Sequence, residues 1–131
     1  MTTSHAAADD KKRILKVTAG NLRHKHLYVN GHYDFFPPDC IGPPKRRPSL
    51  FGTFDVELDG MNKTVTTDIG RHAANGKPRG FLRDRSGIRR FYAYHGTKPG
   101  DRLVLERLAE RRYRLSVQAE DGPPLFPPTF E

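Results

Sequence analysis

Residues 62–85 read Asn-Lys-Thr-Val-Thr-Thr-Asp-Ile-Gly-Arg-His-Ala-Ala-Asn-Gly-Lys-Pro-Arg-Gly-Phe-Leu-Arg-Asp-Arg. The two ends of this stretch, Asn62–Ile69 and Gly80–Arg85, are strand-like. Between them, residues 69–80 hold three glycines and three cations (Arg71, Lys77 and Arg79) and no acid. That middle has no apolar periodicity, so neither a buried helix nor a buried strand is expected. Its glycines and proline are loop punctuation. A loop projecting from a sheet is the result, and it carries Arg71, His72, Asn75, Lys77 and Arg79. Side chains of these types, on a glycine-hinged arm, are suited to phosphates and base edges. A solvated basic hairpin has the same composition, so the rest of the chain decides between the two.

Outward from this stretch, strand and turn signals recur at short intervals. Arg13–Thr18 is a β-branched run. Gly20-Asn21 interrupts it, His26–Val29 is extended again, and Asn30-Gly31 is a turn pair. His32–Gly42 contains Phe35-Phe36-Pro37-Pro38-Asp39, a short helix start or tight turn that plugs one end of a barrel. Gly42–Pro48 is a loop with Lys45, Arg46 and Arg47 in a row. Leu50–Leu58 alternates as a strand, Asp59-Gly60 turns it, and Lys63–Asp68 returns as its partner. Beyond Ser86-Gly87, Ile88–His95 is one or two helical turns closed by Gly96. Leu103–Leu108 and Arg112–Val117 form a last hairpin. Seven short strands at this spacing, with two short helices, predict a mainly β fold, a closed or nearly closed barrel.

At 131 residues the chain is one domain, with enough apolar residues to bury a core. Lys and Arg number 23 against 15 acids, a formal net charge of +8. That balance favours a polyanionic partner and is silent about fold. The sequence has no long apolar stretch or basic amphipathic helix to place it on or in a membrane. Cys40, the single cysteine, excludes an intrachain disulfide and a thiolate zinc cluster, and its apolar neighbours make it a small buried hydrophobe. Nothing in the first eleven residues has the apolar core of a secretion signal. A reduced, intracellular protein is expected.

In chain order, the motifs Val17-Thr18-Ala19-Gly20-Asn21-Leu22-Arg23, His26-Leu27-Tyr28-Val29 and Asp34–Gly42 are followed by Thr67-Asp68-Ile69, Phe81–Arg85, Arg90-Phe91-Tyr92 and Pro99–Glu106. Together they resemble the bacterial branch of the B-three-like DNA-binding pseudobarrel. That family includes the DNA-reading domain of EcoRII-type restriction endonucleases and the plant B-three transcription-factor domain. The resemblance covers roughly residues 13–117, and its most shared part is the late short helix followed by Gly-Asp and a strand, Arg90–Glu106. Where Arg83 and Arg85 stand, the plant branch carries aromatic residues. The resemblance implies a seven-stranded open β-barrel with two short helices that grips the DNA major groove with two arms. One arm falls at Gly20–Lys25 and offers Asn21, Arg23, His24 and Lys25. The other is Gly70–Arg79, the loop already singled out.

The chemistry agrees with such a partner. Arg pairs bidentately with guanine and Asn with adenine, and Lys45, Arg46 and Arg47 beside a helix terminus suit backbone phosphates. Arg83 and Arg85 alternate and share one face: on a concave face they meet DNA backbone, and otherwise they pair with Asp68 or Asp84. Phe35, Phe36, Phe91, Tyr92, Leu103 and Leu105 are core. Three spans result: a disordered tail at 1–12, the barrel at 13–118 and a Pro-rich tail or linker at 119–131. The expected activity is sequence-preferring binding of double-stranded DNA, without catalysis, metal or cofactor. The chain stands alone or serves a nuclease or methyltransferase domain or subunit, in the bacterial cytoplasm at the nucleoid. Two rivals stand beside it: an RNA- or single-strand-binding barrel, and a magnesium-dependent nuclease using Asp39 and Glu57.

Overall fold

Phe54, Val56 and Leu58 are buried while Asp55 and Glu57 between them are half-exposed, the period of two that a strand covered on one face demands. The same alternation appears in Arg112–Val117, where Tyr113 and Leu115 are buried. In the computed structural model, which describes residues 11–43 and 52–118, these two segments are neighbours.

Seven strands and two α-helices make up the described residues. They are β1 (Lys12–Lys16), α1 (Ala19–His24), β2 (Phe54–Leu58), β3 (Lys63–Thr67), β4 (Ile69–Arg71), β5 (Pro78–Leu82), α2 (Ser86–His95), β6 (Arg102–Ala109) and β7 (Arg112–Val117). Two 3-10 turns, Tyr33–Phe35 and Pro38–Cys40, lie between α1 and β2. A five-stranded mixed sheet runs in the order β1-β6-β7-β2-β3, and β4 pairs with β5 in a second sheet. Every pairing is antiparallel except β2 with β7, which is parallel.

Where a seven-stranded barrel is expected, the strands lie in two separate sheets, with no closed barrel among the described residues. One strand is also exchanged. His26–Val29 forms no named strand and joins the small sheet through a bridge from Tyr28 to Phe81, while Ile69–Arg71 is a strand within the expected arm. Only Asp68 separates β3 from β4, so the chain passes directly from one sheet into the other. A bulge shifts the β4–β5 register between Ile69 and Arg71. Gly80 there has φ +88°, and its Cα lies against the Asn30 side chain, so any Cβ would collide with it.

The core lies between the large sheet, α2 and the segment of 3-10 turns. Phe35, Phe36, Phe54 and Tyr113 pack with ring centroids 4.9–6.0 Å apart. Ile88, Phe91 and Tyr92 of α2 are buried in the same core cluster, and Gly96 closes the helix in the left-handed conformation. Burial of one such side chain stabilises by about 1.5–3 kcal/mol. The guanidinium carbons of Arg13 and Arg107 lie 4.7 and 4.8 Å from the Phe35 ring centre, capping the aromatic cluster with cations. Cys40 is fully buried, and its thiol is pushed up to about 11, first by burial and then by Asp39. That makes it inert at neutral pH.

Lys45, Arg46, Arg47, Leu50 and both expected tails beyond Lys11 and Gln118 lie outside the described residues. Among the described residues no helix is long and apolar enough to cross a membrane. The Tyr113 hydroxyl donates to the Phe35 carbonyl at 2.7 Å inside the core, and burial raises its pKa to about 12. Tyr113→Phe removes that bond at nearly constant volume. Urea denaturation should show a loss of about 1 kcal/mol with an unchanged m-value, and an unchanged midpoint would contradict this role for the hydroxyl.

Candidate nucleic-acid interface

The basic segment of residues 69–80 is a β-hairpin whose strands run into the expected loop. Its tip is held by His72 and Gly76: the His72 amide donates to the Lys77 carbonyl, and the Gly76 amide to that of His72, both at 2.9 Å. Asn75 Oδ1 accepts from the Lys77 amide at 2.9 Å, a side-chain turn that shapes the tip. Arg71 donates to the Gly76 carbonyl at 3.0 Å, and Arg79 Nε to the Arg71 carbonyl at 3.3 Å. His72, Asn75, Lys77 and Arg79 are exposed and Arg71 is half-buried. The hairpin thus presents a cationic edge held by its own hydrogen bonds.

The other expected arm, Gly20–Lys25, is a helix. Thr18 accepts from the Asn21 amide at 3.2 Å while Asn21 Oδ1 accepts from the Thr18 amide at 2.7 Å, a reciprocal capping box. Asn21 is 2 % exposed, so it serves the helix start and is not at the surface to meet a base edge. Arg23 and His24 occupy the last turn, where cations complement the helix dipole, and Lys25 closes it at φ 58°. Arg23, His24 and Lys25 are all exposed.

Between helix and hairpin lies a groove of about 470 Å³ lined by His24, His26, Gly70, Arg79, Phe81, Arg83 and Arg85. Every second residue from Arg79 to Arg85 contributes, the signature of an extended segment that shows one face. Arg85 Nε donates to the His24 carbonyl at 3.2 Å, which ties the entrance of α2 to the end of α1. Arg83 donates from Nε to Asp68 Oδ1 at 2.6 Å and from the terminal nitrogen to Asp68 Oδ2 at 3.2 Å and the Pro43 carbonyl at 2.6 Å. Of the two alternatives for Arg83, ion pairing with Asp68 is the one realised, although its guanidinium still lines the groove. It lies on Gly70, where an added Cβ would come within 3.1 Å of it and the guanidinium would have to give by a few tenths of an ångström.

His26 and Phe81, which the sequence offers only within extended motifs and not as DNA contacts, also line the groove. Their rings stack face to face, centroids 3.6 Å apart and planes 6° apart, and His24 stacks on His26 at 5.7 Å. The signal was the pairing of two extended segments, which no local pattern announces. His26 Nδ1 is enclosed without a hydrogen-bond partner. Burial first, then Arg85 and His24, hold its pKa below the ordinary imidazole value.

The paired carboxylates of the nuclease rival are engaged elsewhere. Asp39 takes two hydrogen bonds from Arg111, at 3.0 and 2.9 Å. Glu57 accepts from Arg112 at 2.7 Å and from Arg114 at 3.2 Å, and the Arg112 bond above all lowers its pKa. Among the described residues no group of three or more His, Cys, Asp or Glu side chains is gathered to hold a metal ion.

No family model and no curated protein matches this chain. Among solved structures, it is similar to the N-terminal domain of Helicobacter pylori LlaJI.R1. The TM-score is 0.55 at 16 % identity, over 82 % of this chain and 86 % of that one. That likeness places the fold.

Asp68 is 1 % exposed, and its carboxylate is bonded to a largely covered arginine. Asp68→Ala should lower stability by about 3–5 kcal/mol in chemical denaturation, whereas Arg85→Ala should stay within about 0.5 kcal/mol. Equal small effects would remove the pair's structural role. His26 supplies a second expectation. Its folded pKa is depressed, so its contribution is complete above the ordinary value of about 6.5 and is lost as pH falls below it. Urea midpoints taken at decreasing pH should fall in the parent chain and fall less in His26→Gln, while parallel curves would exclude His26 as a source.

Proposed function

We propose that this chain is a double-stranded DNA-binding domain that reads the major groove with sequence preference. The observation that carries this reading is the groove itself. Arg79, Arg83, Arg85 and His24 line one concavity, beside a hairpin edge bearing Arg71, His72, Asn75 and Lys77 and a helix end bearing Arg23 and Lys25. Such a surface draws a polyanion by counterion release, and its planar guanidiniums and carboxamide have the geometry to read base edges. The cationic triplet Lys45–Arg47 adds phosphate contacts in this reading.

The two sheets are read as the wall of an opened seven-stranded barrel, continuous through Asp68. The resemblance to the EcoRII-type branch and the fold likeness to the LlaJI.R1 domain support a recognition role within a restriction or modification system. In that role a nuclease or methyltransferase domain or subunit performs the chemistry, and this domain performs none and needs no cofactor. A bacterial cytoplasmic, nucleoid-associated location follows from the partner. The single-strand and RNA rival wants exposed aromatic platforms. Among the described residues the most exposed large aromatic, Tyr94 at 60 %, lies against Gly60 in the β2–β3 turn and is not part of the groove lining.

Fluorescence anisotropy with a random pool of short duplexes, over a series of salt concentrations, tests the reading. Binding should weaken linearly in log–log form with salt. Arg71→Ala and Arg79→Ala should each reduce the slope by about 1 or, for a base contact, weaken binding while relaxing sequence preference. Unchanged binding in both variants would remove the hairpin from the interface.

A further inference from the structure

The floor of the groove carries an aromatic ring where an interface built for phosphates alone needs none. Phe81 sits between Arg79 and Arg83 on the face they share, half-buried, and is backed by His26. The centre of the groove is also low in free charge. Arg83 is neutralised by the buried Asp68, and the surroundings of His26 disfavour its charged form, burial first. Arg79 and Arg85 stand at the two sides. The surface presented to a ligand is thus an apolar patch bracketed by guanidiniums.

Two ligand chemistries suit an aromatic patch on a DNA-binding surface. A base can stack on a ring face, or a methyl group can pack against the ring. Stacking needs a free face, and here the imidazole already covers one face of Phe81 at van der Waals separation, with the planes 6° apart. Tyr28 lies beside the stacked pair, its ring centroid nearer His26 (5.7 Å) than Phe81 (6.2 Å). The bases of an intact duplex turn their edges, not their faces, to the major groove, so the remaining surface of the ring meets a methyl group without unstacking a base.

We propose that Phe81, backed by His26, is the seat for the C5-methyl group of a pyrimidine in the major groove, and that this pyrimidine is thymine. The inference rests on the reading of this face as a DNA interface. In that groove the methyl group is the one apolar feature that separates thymine from cytosine, and adjacent guanidiniums suit the guanines or phosphates beside it. A 5-methylcytosine presents the same methyl with a donor where thymine has an acceptor, so substitution of the DNA separates the two sources.

The test uses the full chain and duplexes recovered from a random pool by binding. Each is resynthesised with deoxyuridine for thymidine, which removes only the methyl group, and separately with 5-methylcytosine for cytosine. Uracil substitution should weaken binding about three- to fivefold for each contacted thymine. Phe81→Ala should bind the thymine and uracil duplexes equally, and Phe81→Leu should keep the preference for thymine. Because the uracil arm needs no variant, it decides even where Phe81→Ala fails to fold. Equal affinity of the parent chain for thymine and uracil duplexes overturns the proposal. So does a gain confined to 5-methylcytosine, or a thymine preference that persists unchanged in folded Phe81→Ala. Failure of the parent chain to recover any duplex at low salt overturns the DNA reading itself, and is distinct from recovery without methyl discrimination.

Discussion

The ion pair between Asp68 and Arg83 sits where the two sheets meet, and both the fold and the groove depend on it. Asp68 is the single residue between β3 and β4, and the Arg83 amide donates to its carbonyl at 2.7 Å. Its carboxylate takes the Arg83 side chain, which also reaches the Pro43 carbonyl. One arginine thereby ties the strand junction, the end of β5 and the segment after Cys40. A lone carboxylate at 1 % exposure would be costly, and the pair is tolerated because its geometry is bidentate and further hydrogen bonds satisfy it. Gly70 is the accompanying constraint, since the guanidinium lies against it.

This junction also sets the electrostatics of the proposed interface. Neutralising Arg83 at the groove floor lets exposed cations gather around it without a repulsive centre. Exposed cations then stand at the hairpin edge, at Arg79 and Arg85, and at the end of α1. Opposite signs are interleaved on β2 and β7, where Asp55, Glu57, Arg112 and Arg114 form a ladder of ion pairs. That face is charged yet balanced. In the proposed function this asymmetry, more than the net charge of +8, would orient the chain toward a polyanion.

Local patterns made part of this architecture legible. The β2–β3 and β6–β7 hairpins follow from period-two alternation with adjacent turn residues, and α2 from its buried stripe ending at Gly96. The buried aromatics Phe35, Phe36, Phe91 and Tyr92 were readable as core for the same reason. Helix α1 was not, because six residues containing Gly20 and Asn21 are too short for a helical period and imitate a turn. Its one signal was Thr18 with Asn21 three residues on, a capping box with asparagine in place of the usual acid or glutamine. The parallel pairing of β2 with β7, the choice of Asp68 over Asp84 as partner of Arg83, and the stack of His26 on Phe81 are long-range outcomes. Each joins residues 15 or more positions apart, and no window of sequence encodes them. The candidate site was legible in residue type at the hairpin and at Arg83 and Arg85, but not at His26 and Phe81.

The central claim is that the groove between α1 and the β4–β5 hairpin receives duplex DNA. Titration of isotope-labelled chain with a bound duplex, followed through backbone amide shifts, tests it most directly. Perturbations are expected to concentrate at residues 23–26 and 70–85 and to leave the ion-pair ladder of β2 and β7 unmoved. Shifts centred on that ladder, with residues 70–85 silent, would contradict the account.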